Sequence, residues 1–303
     1  MVSGAFEQEC KALGQACAAA KLRLDEHGPE GYRNAFASYR GPKRFRPYFE
    51  RKWLSLRLSA VKRGMVVDAT VTPAFLSRIT DGRCPVTLET LDTQGKSTKN
   101  PSVDRLVNEV TYLAGNVCVL SLRANRAKGE LSFEQVAQLA EAGEPHAGLA
   151  PVEWMRLASL MYGAWSRAYR QADPYLLPLA AIPGPGMFTS TSQVVQLLLT
   201  RHFSAGSDQV AATNRWLEMT RRSGCREDVF IVFKDLLASA LAEEVHAGDA
   251  WLHGDVFEAF VCWYRACKNV VMAEVEALLL QHQGHHADAA ATLHWPTTSR
   301  YQR

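Results

Sequence analysis

The sequence predicts an α+β protein that is mostly α-helical, with a small module containing strands between two helical regions. Apolar residues recur at helical spacing through most of the chain, and only the stretch from about 64 to 130 changes to alternation. Hydrophobic residues make up 47% and charged residues 21%, which excludes global disorder. We therefore divide the 303 residues into a basic helical arm (1–63), a small α+β module (64–130), a helical C-terminal domain (131–282) and a polar tail (283–303).

Three helices are predicted in the arm. The first covers 5–27, where Phe6, Cys10 and Leu13 begin a helical stripe. The second and third cover about 30–39 and 47–62, separated by a Gly-Pro pair that breaks a helix.

The module begins after Gly64, where the sequence pattern changes. Met65–Thr72 is rich in β-branched residues and alternates, so we expect a strand there. Asn116–Leu122 is the second strand candidate. Arg123–Lys128 then predicts a helix that ends at Gly129.

The remainder is expected to be helical. Ser132 and Gln135 form a capping-box pattern ahead of an apolar stripe. The helices predicted after it lie at about 152–170, 191–203, 207–222, 227–247 and 253–282. The histidines near the C-terminus are expected to belong to a solvated tail rather than to a metal site; they are His282, His285, His286 and His294.

Positive charge is concentrated in one segment of the arm, although the whole chain carries only +3. Between Arg40 and Arg63 there are nine basic residues and one acidic residue, Glu50. Such a segment favours contact with a phosphate backbone. The nine are Arg40, Lys43, Arg44, Arg46, Arg51, Lys52, Arg57, Lys62 and Arg63. Aromatic residues alternate with these cations and could stack on bases, but their spacing favours packing against neighbouring helices; they are Tyr39, Phe45, Tyr48, Phe49 and Trp53.

The cysteines and the apolar runs indicate the compartment. Seven cysteines at irregular spacing, without a CxxC pair, predict reduced thiols in a cytoplasmic protein. No apolar run approaches the roughly 18 residues that a membrane span needs, so no membrane partner is expected. The chain contains no Walker A loop, GxSxG elbow or HExxH pair, which excludes the enzyme classes these motifs identify.

Three short motifs follow one another in fixed order within 81–129. They are Cys-Pro-Val-Thr from Cys84, Ser-Val-Asp-Arg from Ser102, and Gly-Asn-Val from Gly115 followed by Arg-Ala-Asn-Arg-Ala-Lys from Arg123. In this order they resemble the HNH, or ββα-metal, endonuclease superfamily, in its phage and bacterial branch. The resemblance covers about fifty residues.

The resemblance implies a ββα unit that holds one divalent cation, Mg²⁺ or Mn²⁺, against the scissile phosphate. Asp104 and Asn125 would be its ligands, since hard cations prefer oxygen. Asn116 would shape the hairpin loop, Cys84 would be structural, and Arg126 and Lys128 would face phosphates.

The sequence departs from the family at the general base and at the zinc ligands. Arg105 stands where the family has the histidine that activates water, and a guanidinium cannot accept that proton. Arg105 could instead contact the phosphate, and Tyr112 is a weak substitute base because a tyrosine hydroxyl in water has a pKa near ~10. Where many members have two CxxC pairs that bind zinc, this chain has Cys84 with Thr87 and Ser121 with Ala124, so no structural zinc is expected.

These observations leave two functions open. One is a metal-dependent DNA endonuclease from a phage, a mobile element or a defence system. The other is a catalytically inactive module of the same lineage that binds nucleic acid, with DNA expected first, or a protein partner through the C-terminal helices. Convergence of the Asp104 and Asn125 oxygens on a solvent-facing point would favour cleavage, whereas a salt bridge from Arg105 to Asp104 would favour binding.

Overall fold

One two-stranded antiparallel sheet and a series of helices form the regular structure of the described residues, which confirms the mostly helical α+β class. The computed structural model describes residues 2–93, 97–169, 175–184 and 186–282. The predicted tail, with His285, His286 and His294, lies outside them, as does the side chain of His282. The elements before the C-terminal region are α1 Val2–Ala19, α2 Glu30–Ser38, α3 Tyr48–Lys62, α4 Pro73–Arg78, β1 Pro101–Arg105, β2 Val117–Ser121 and α5 Leu122–Lys128. Those that follow are α6 Phe133–Ala142, α7 Pro151–Ala168, α8 Thr191–Phe203, α9 Gln209–Arg222, α10 Glu227–Glu243, a 3-10 turn Asp249–Leu252 and α11 Gly254–His282.

Several helices begin where a side chain caps the backbone. The Ser132 hydroxyl accepts from the backbone N–H of Gln135, whose side chain accepts from the Ser132 N–H in return, as the capping box predicts. The Thr72 hydroxyl caps α4 by accepting from the Phe75 N–H, with Pro73 at the first helical position. Helix α4 is not among the elements predicted from the sequence.

The strand expected at Met65–Thr72 is absent, and this prediction was wrong. The Asp68 carboxylate accepts hydrogen bonds from both the backbone N–H and the hydroxyl of Thr70, which forms a turn. The segment instead joins residues 111–114 through single contacts, such as the bond from the Thr111 hydroxyl to the Val66 carbonyl. A β-branched composition therefore did not suffice where a side chain closed the backbone into a turn.

The first helix is also shorter than predicted. It ends at Ala19 rather than continuing to residue 27. Lys21 adopts a left-handed φ of +54°, and the N–H of Leu22 returns to the carbonyl of Cys17. This left-handed residue ends the helix.

The hairpin strands pair so that Asp104 lies opposite Cys118 and Arg105 opposite Val117. Every residue of β2 is buried. Helix α5 follows β2 directly, because the Ser121 hydroxyl caps it by accepting from the Ala124 N–H. We call β1, β2 and α5 together the hairpin–helix unit.

Three hydrophobic clusters divide the packing. One contains residues of helices α1, α2 and α3, and another contains residues of helices α8, α9, α10 and α11. The largest surrounds the hairpin–helix unit and includes residues of α6 and α7. Helices α6 and α7, which the division by sequence places in the C-terminal domain, contribute Phe133 and Trp154 to the same core as Val117.

Candidate functional site

Asp104 lies in β1 and is buried beneath α5. Its carboxylate Oδ2 is 3.1 Å from Nζ of Lys128, in an ion pair that is not aligned as a hydrogen bond. Burial raises the pKa of Asp104, and the nearby Lys128 ammonium opposes that rise. The carboxylate that the resemblance assigns to a metal is therefore paired with a cation from the chain itself.

Lys128 was expected to face phosphates, and the structure corrects this. None of its side chain is exposed (0%), and its ammonium also donates to Oδ1 of Asn108 at 3.0 Å. Packing decides this position, because the face of α5 that carries Lys128 lies against the hairpin. Neither the ion pair nor the role of Asn108 was predicted from the sequence. The spacing of three residues, which places Lys128 on the same helical face as Asn125, could have indicated that Lys128 lies near the site.

Asn125 lies one helical turn before Lys128 and, like Lys128, contacts a side chain of β1. Its Nδ2 donates to the Ser102 hydroxyl at 2.6 Å. Ser102 and Asp104 are two residues apart in β1 and thus point to the same face. Two neighbouring side chains of α5 therefore meet two neighbouring side chains of β1. Ser102 was missed as a contact, although the Ser-Val-Asp motif contained it.

Arg105 points to the opposite face of the strand from Asp104, because adjacent strand residues alternate. Its buried guanidinium donates to the carbonyl of Asn108, lies 3.1 Å from the Met65 sulfur, and stacks 5.0 Å from the centre of the Tyr112 ring. The salt bridge from Arg105 to Asp104 that would have favoured binding is absent from this arrangement, and Lys128 pairs with Asp104 instead.

Tyr112 was the other residue considered for catalysis. It is buried, and its hydroxyl accepts a hydrogen bond of 2.9 Å from Arg63. The Arg105 guanidinium covers its ring. Both residues therefore support the turn after β1, on the far side of the strand from the Asp104 carboxylate.

Asn116 holds the loop between the strands, the role that the resemblance implies for it. Its fully buried amide accepts from the Val107 N–H at 2.8 Å. The same side chain donates to the carbonyls of Val107, Val110 and Thr111 at 3.0–3.2 Å. One amide thereby bonds four backbone groups of this loop.

Cys84 is fully buried at the start of a tight turn. Its sulfur accepts from the Thr87 N–H at 3.5 Å, and its backbone pairs with Glu89 and Leu88. All seven cysteines are free. Hydrogen bonds and apolar packing hold the turn in this arrangement.

The residues at the hairpin–helix unit do not fit a divalent cation. Such an ion would have to lie roughly 2.0–2.6 Å from the Asp104 oxygen, where the Lys128 ammonium already provides positive charge. The Asn125 amide nitrogen is directed to Ser102. Nowhere in the described parts of the chain do three or more histidine, cysteine, aspartate or glutamate side chains converge as a metal site.

The predicted phosphate-binding residues separate into two groups. Three of the eight are at least partly buried and have internal partners: Arg46 pairs with Glu50 at 3.3 Å, the half-buried Lys52 donates to the Pro101 carbonyl at 2.6 Å, and Lys128 pairs with Asp104. Burial also lowers the pKa of Lys52. The other five are exposed and have no carboxylate partner among the described residues; they are Arg40, Lys43, Arg44, Arg51 and Arg126.

No protein-family model matches the chain, and comparisons with curated proteins and with solved structures give no match. A separate observation concerns membranes: of the helices in the described ranges, none is both long and apolar enough to cross one.

Proposed function

We propose that this protein binds nucleic acid without cleaving it, on a hairpin–helix unit that resembles the ββα-metal fold. The observation that carries the proposal is the buried Lys128 ammonium against Asp104. It puts a covalently attached cation where the resembled family would hold a metal ion. The hairpin and the helix are both present, and the Lys128 ammonium balances the charge of the Asp104 carboxylate without a divalent ion.

The charge balance argues against cleavage at this site. A buried carboxylate is stabilised by one positive charge, and adding a divalent ion beside the ammonium would place like charges together at low dielectric. Arg105 does not supply a base, because it lies on the other face of β1 and a guanidinium cannot accept a proton from water. The unit therefore lacks both an available carboxylate ligand and a base on the same side.

The exposed cations argue for nucleic acid as the partner. Arg40, Lys43 and Arg44 lie together in the loop between α2 and α3, and Arg51 follows in the first turns of α3. Because no carboxylate among the described residues neutralises these four side chains, they can release counterions from a phosphate backbone. Contacts of this kind give affinity without sequence readout.

Lys52 connects this surface to the hairpin–helix unit. Its hydrogen bond to the Pro101 carbonyl fixes α3 beside the start of β1, one residue before Ser102. The basic segment and the Ser102–Asn125 contact are thereby held on neighbouring elements.

Neutralising three of the exposed cations tests the binding. Arg40→Ala/Lys43→Ala/Arg44→Ala is expected to weaken the binding of a fluorescent DNA and to reduce its salt slope by about 3, one unit per lost phosphate contact. The control is Arg201→Ala/Arg215→Ala/Arg265→Ala, which removes the same charge from exposed sites in the C-terminal helices. Equal effects of the two triple variants would contradict a local binding surface.

A plasmid-nicking assay with Mg²⁺ and with Mn²⁺ tests the absence of cleavage. The wild-type protein is expected to leave the plasmid intact at concentrations that saturate binding. Asn125→Ala and Asp104→Ala serve as controls for contaminating nucleases, with folding verified by circular dichroism. Metal-dependent nicking by the wild type that both folded variants lose would overturn the proposal and establish an endonuclease.

A further inference from the structure

Phe45 is the most exposed aromatic side chain of the basic segment. The residue is 73% exposed, whereas packing against neighbouring helices was expected from the sequence. Of the other aromatics in the segment, Phe49 and Trp53 do pack against the core. Arg44 precedes Phe45 and Arg46 follows it, so an accessible ring lies among cations.

The loop that carries Phe45 is held by hydrogen bonds. The Arg44 N–H donates to the Ala19 carbonyl at 2.9 Å, which ties the loop to the end of α1. The Tyr39 hydroxyl donates to the Pro42 carbonyl at 3.0 Å, and the Arg40 guanidinium donates to the Ala37 carbonyl at 2.7 Å. An exposed ring on a loop constrained in this way loses little conformational entropy when a ligand binds.

One face of the Phe45 ring is already next to a cation. Nζ of Lys21 lies 4.9 Å from the ring centre. With 73% of the residue exposed, the ring remains accessible to a planar partner, and the ammonium lies close enough to meet a phosphate beside it. This combination of a ring and an adjacent cation suits a nucleotide rather than an apolar ligand.

Tyr48 offers a second exposed ring nearby. It is 41% exposed and contacts Phe49 edge-on, with ring centres 5.1 Å apart. It follows Phe45 by three residues, a chain distance of at most about 10 Å. The two rings are thus close enough to meet one short strand.

Resting on the proposed function, we infer that this surface binds single-stranded nucleic acid, with Phe45 stacking on an unpaired base. Exposed aromatics among cations are the features that bind single strands, since every unpaired base offers a face. In a duplex the base faces are already stacked on one another, and Phe45 gains nothing. The exposed cations contact the phosphates of either form.

Binding of a fluorescent oligothymidylate of about 12 nucleotides, within the usual site sizes, and of a duplex of equal length tests the inference on the full chain. Phe45→Ala is expected to weaken single-strand binding by about 5- to 150-fold, the range that stacking of one base supplies. Duplex binding should stay within twofold. Phe45→Trp is expected to retain single-strand affinity, and Val210→Ala, at a residue 74% exposed, controls for loss of an exposed apolar group.

Each remaining outcome decides between the two proposals. If Arg40→Ala/Lys43→Ala/Arg44→Ala weakens binding but Phe45→Ala changes nothing, or weakens both forms equally, stacking is refuted and the proposed function stands. If the wild type binds neither form, both proposals fail. Binding instead to vesicles of phosphatidylcholine and phosphatidylserine would assign the surface to anionic membranes and likewise refute both.

Discussion

Lys128→Met is expected to lower the free energy of unfolding by about 3–5 kcal/mol, because it leaves the Asp104 carboxylate buried without its cation. The methionine side chain preserves much of the volume, so the loss reports the ion pair and the hydrogen bond to Asn108 rather than packing. Lys43→Met, at an exposed lysine without a carboxylate partner among the described residues, is expected to change stability by less than about 0.5 kcal/mol. Urea unfolding followed by circular dichroism measures both.

A double variant that removes the charges of both Asp104 and Lys128 tests whether the loss comes from an unpaired buried charge. Asp104→Asn/Lys128→Met is expected to be more stable than Lys128→Met alone, since no buried charge is left unpaired. A cost below about 1 kcal/mol for Lys128→Met would be that of a solvent-exposed pair and would contradict the buried ion pair.

The stability loss of Lys128→Met is expected to depend on pH in a definite direction. Burial raises the pKa of Asp104, so the folded protein keeps that proton at pH values where the unfolded chain has lost it. Stability from this group therefore falls as pH rises from near ~3.9 through the raised pKa. In Lys128→Met the opposing ammonium is gone and the pKa rises further. The deficit of this variant relative to wild type should shrink between about pH 7 and pH 4, and a constant deficit would contradict the pairing.

Gly115→Ala is expected to destabilise the protein by about 3 kcal/mol or more, combining backbone strain with overpacking. Gly115 has a φ of +98°, and a Cβ there would lie 1.5 Å from a ring carbon of Phe188. The loop containing Phe188 contacts the hairpin at this point, since the Phe188 N–H donates to the Gly115 carbonyl. Thermal and urea unfolding measure the loss.

Gly143→Ala isolates the backbone contribution. Gly143 also has a positive φ, +69°, but nothing lies within 4 Å of a Cβ built there. It should therefore cost only about 1 kcal/mol, the penalty of a left-handed residue. Equal losses for Gly115→Ala and Gly143→Ala would show that Phe188 does not fill the space beside Gly115.

Local signals were enough to predict most helices. The helix expected at 191–203 is observed as α8 with the same bounds, and Ser190 and Gln193 form the capping box that begins it. Capping and helical spacing act within one or two turns, so they can be read from the chain. Met65–Thr72 failed because the Asp68 carboxylate competes with strand pairing by bonding Thr70.

Local sequence signals could not predict which aromatic side chains of the basic segment are exposed. Phe45 and Trp53 have similar neighbours in sequence, yet Phe45 is exposed while Trp53 packs on the core and donates to the Val71 carbonyl. The difference arises from which helices lie beside each ring, and that depends on contacts between distant segments.

The sequence by itself determined the mostly helical class, the concentration of charge in 40–63 and the order of the motifs around the hairpin. Only the tertiary structure decided the partner of Asp104. Lys128 is 24 residues away along the chain, and packing of α5 on the hairpin, rather than any local pattern, directs its ammonium inward. Arg105, although adjacent to Asp104, is excluded because neighbouring strand residues point to opposite faces.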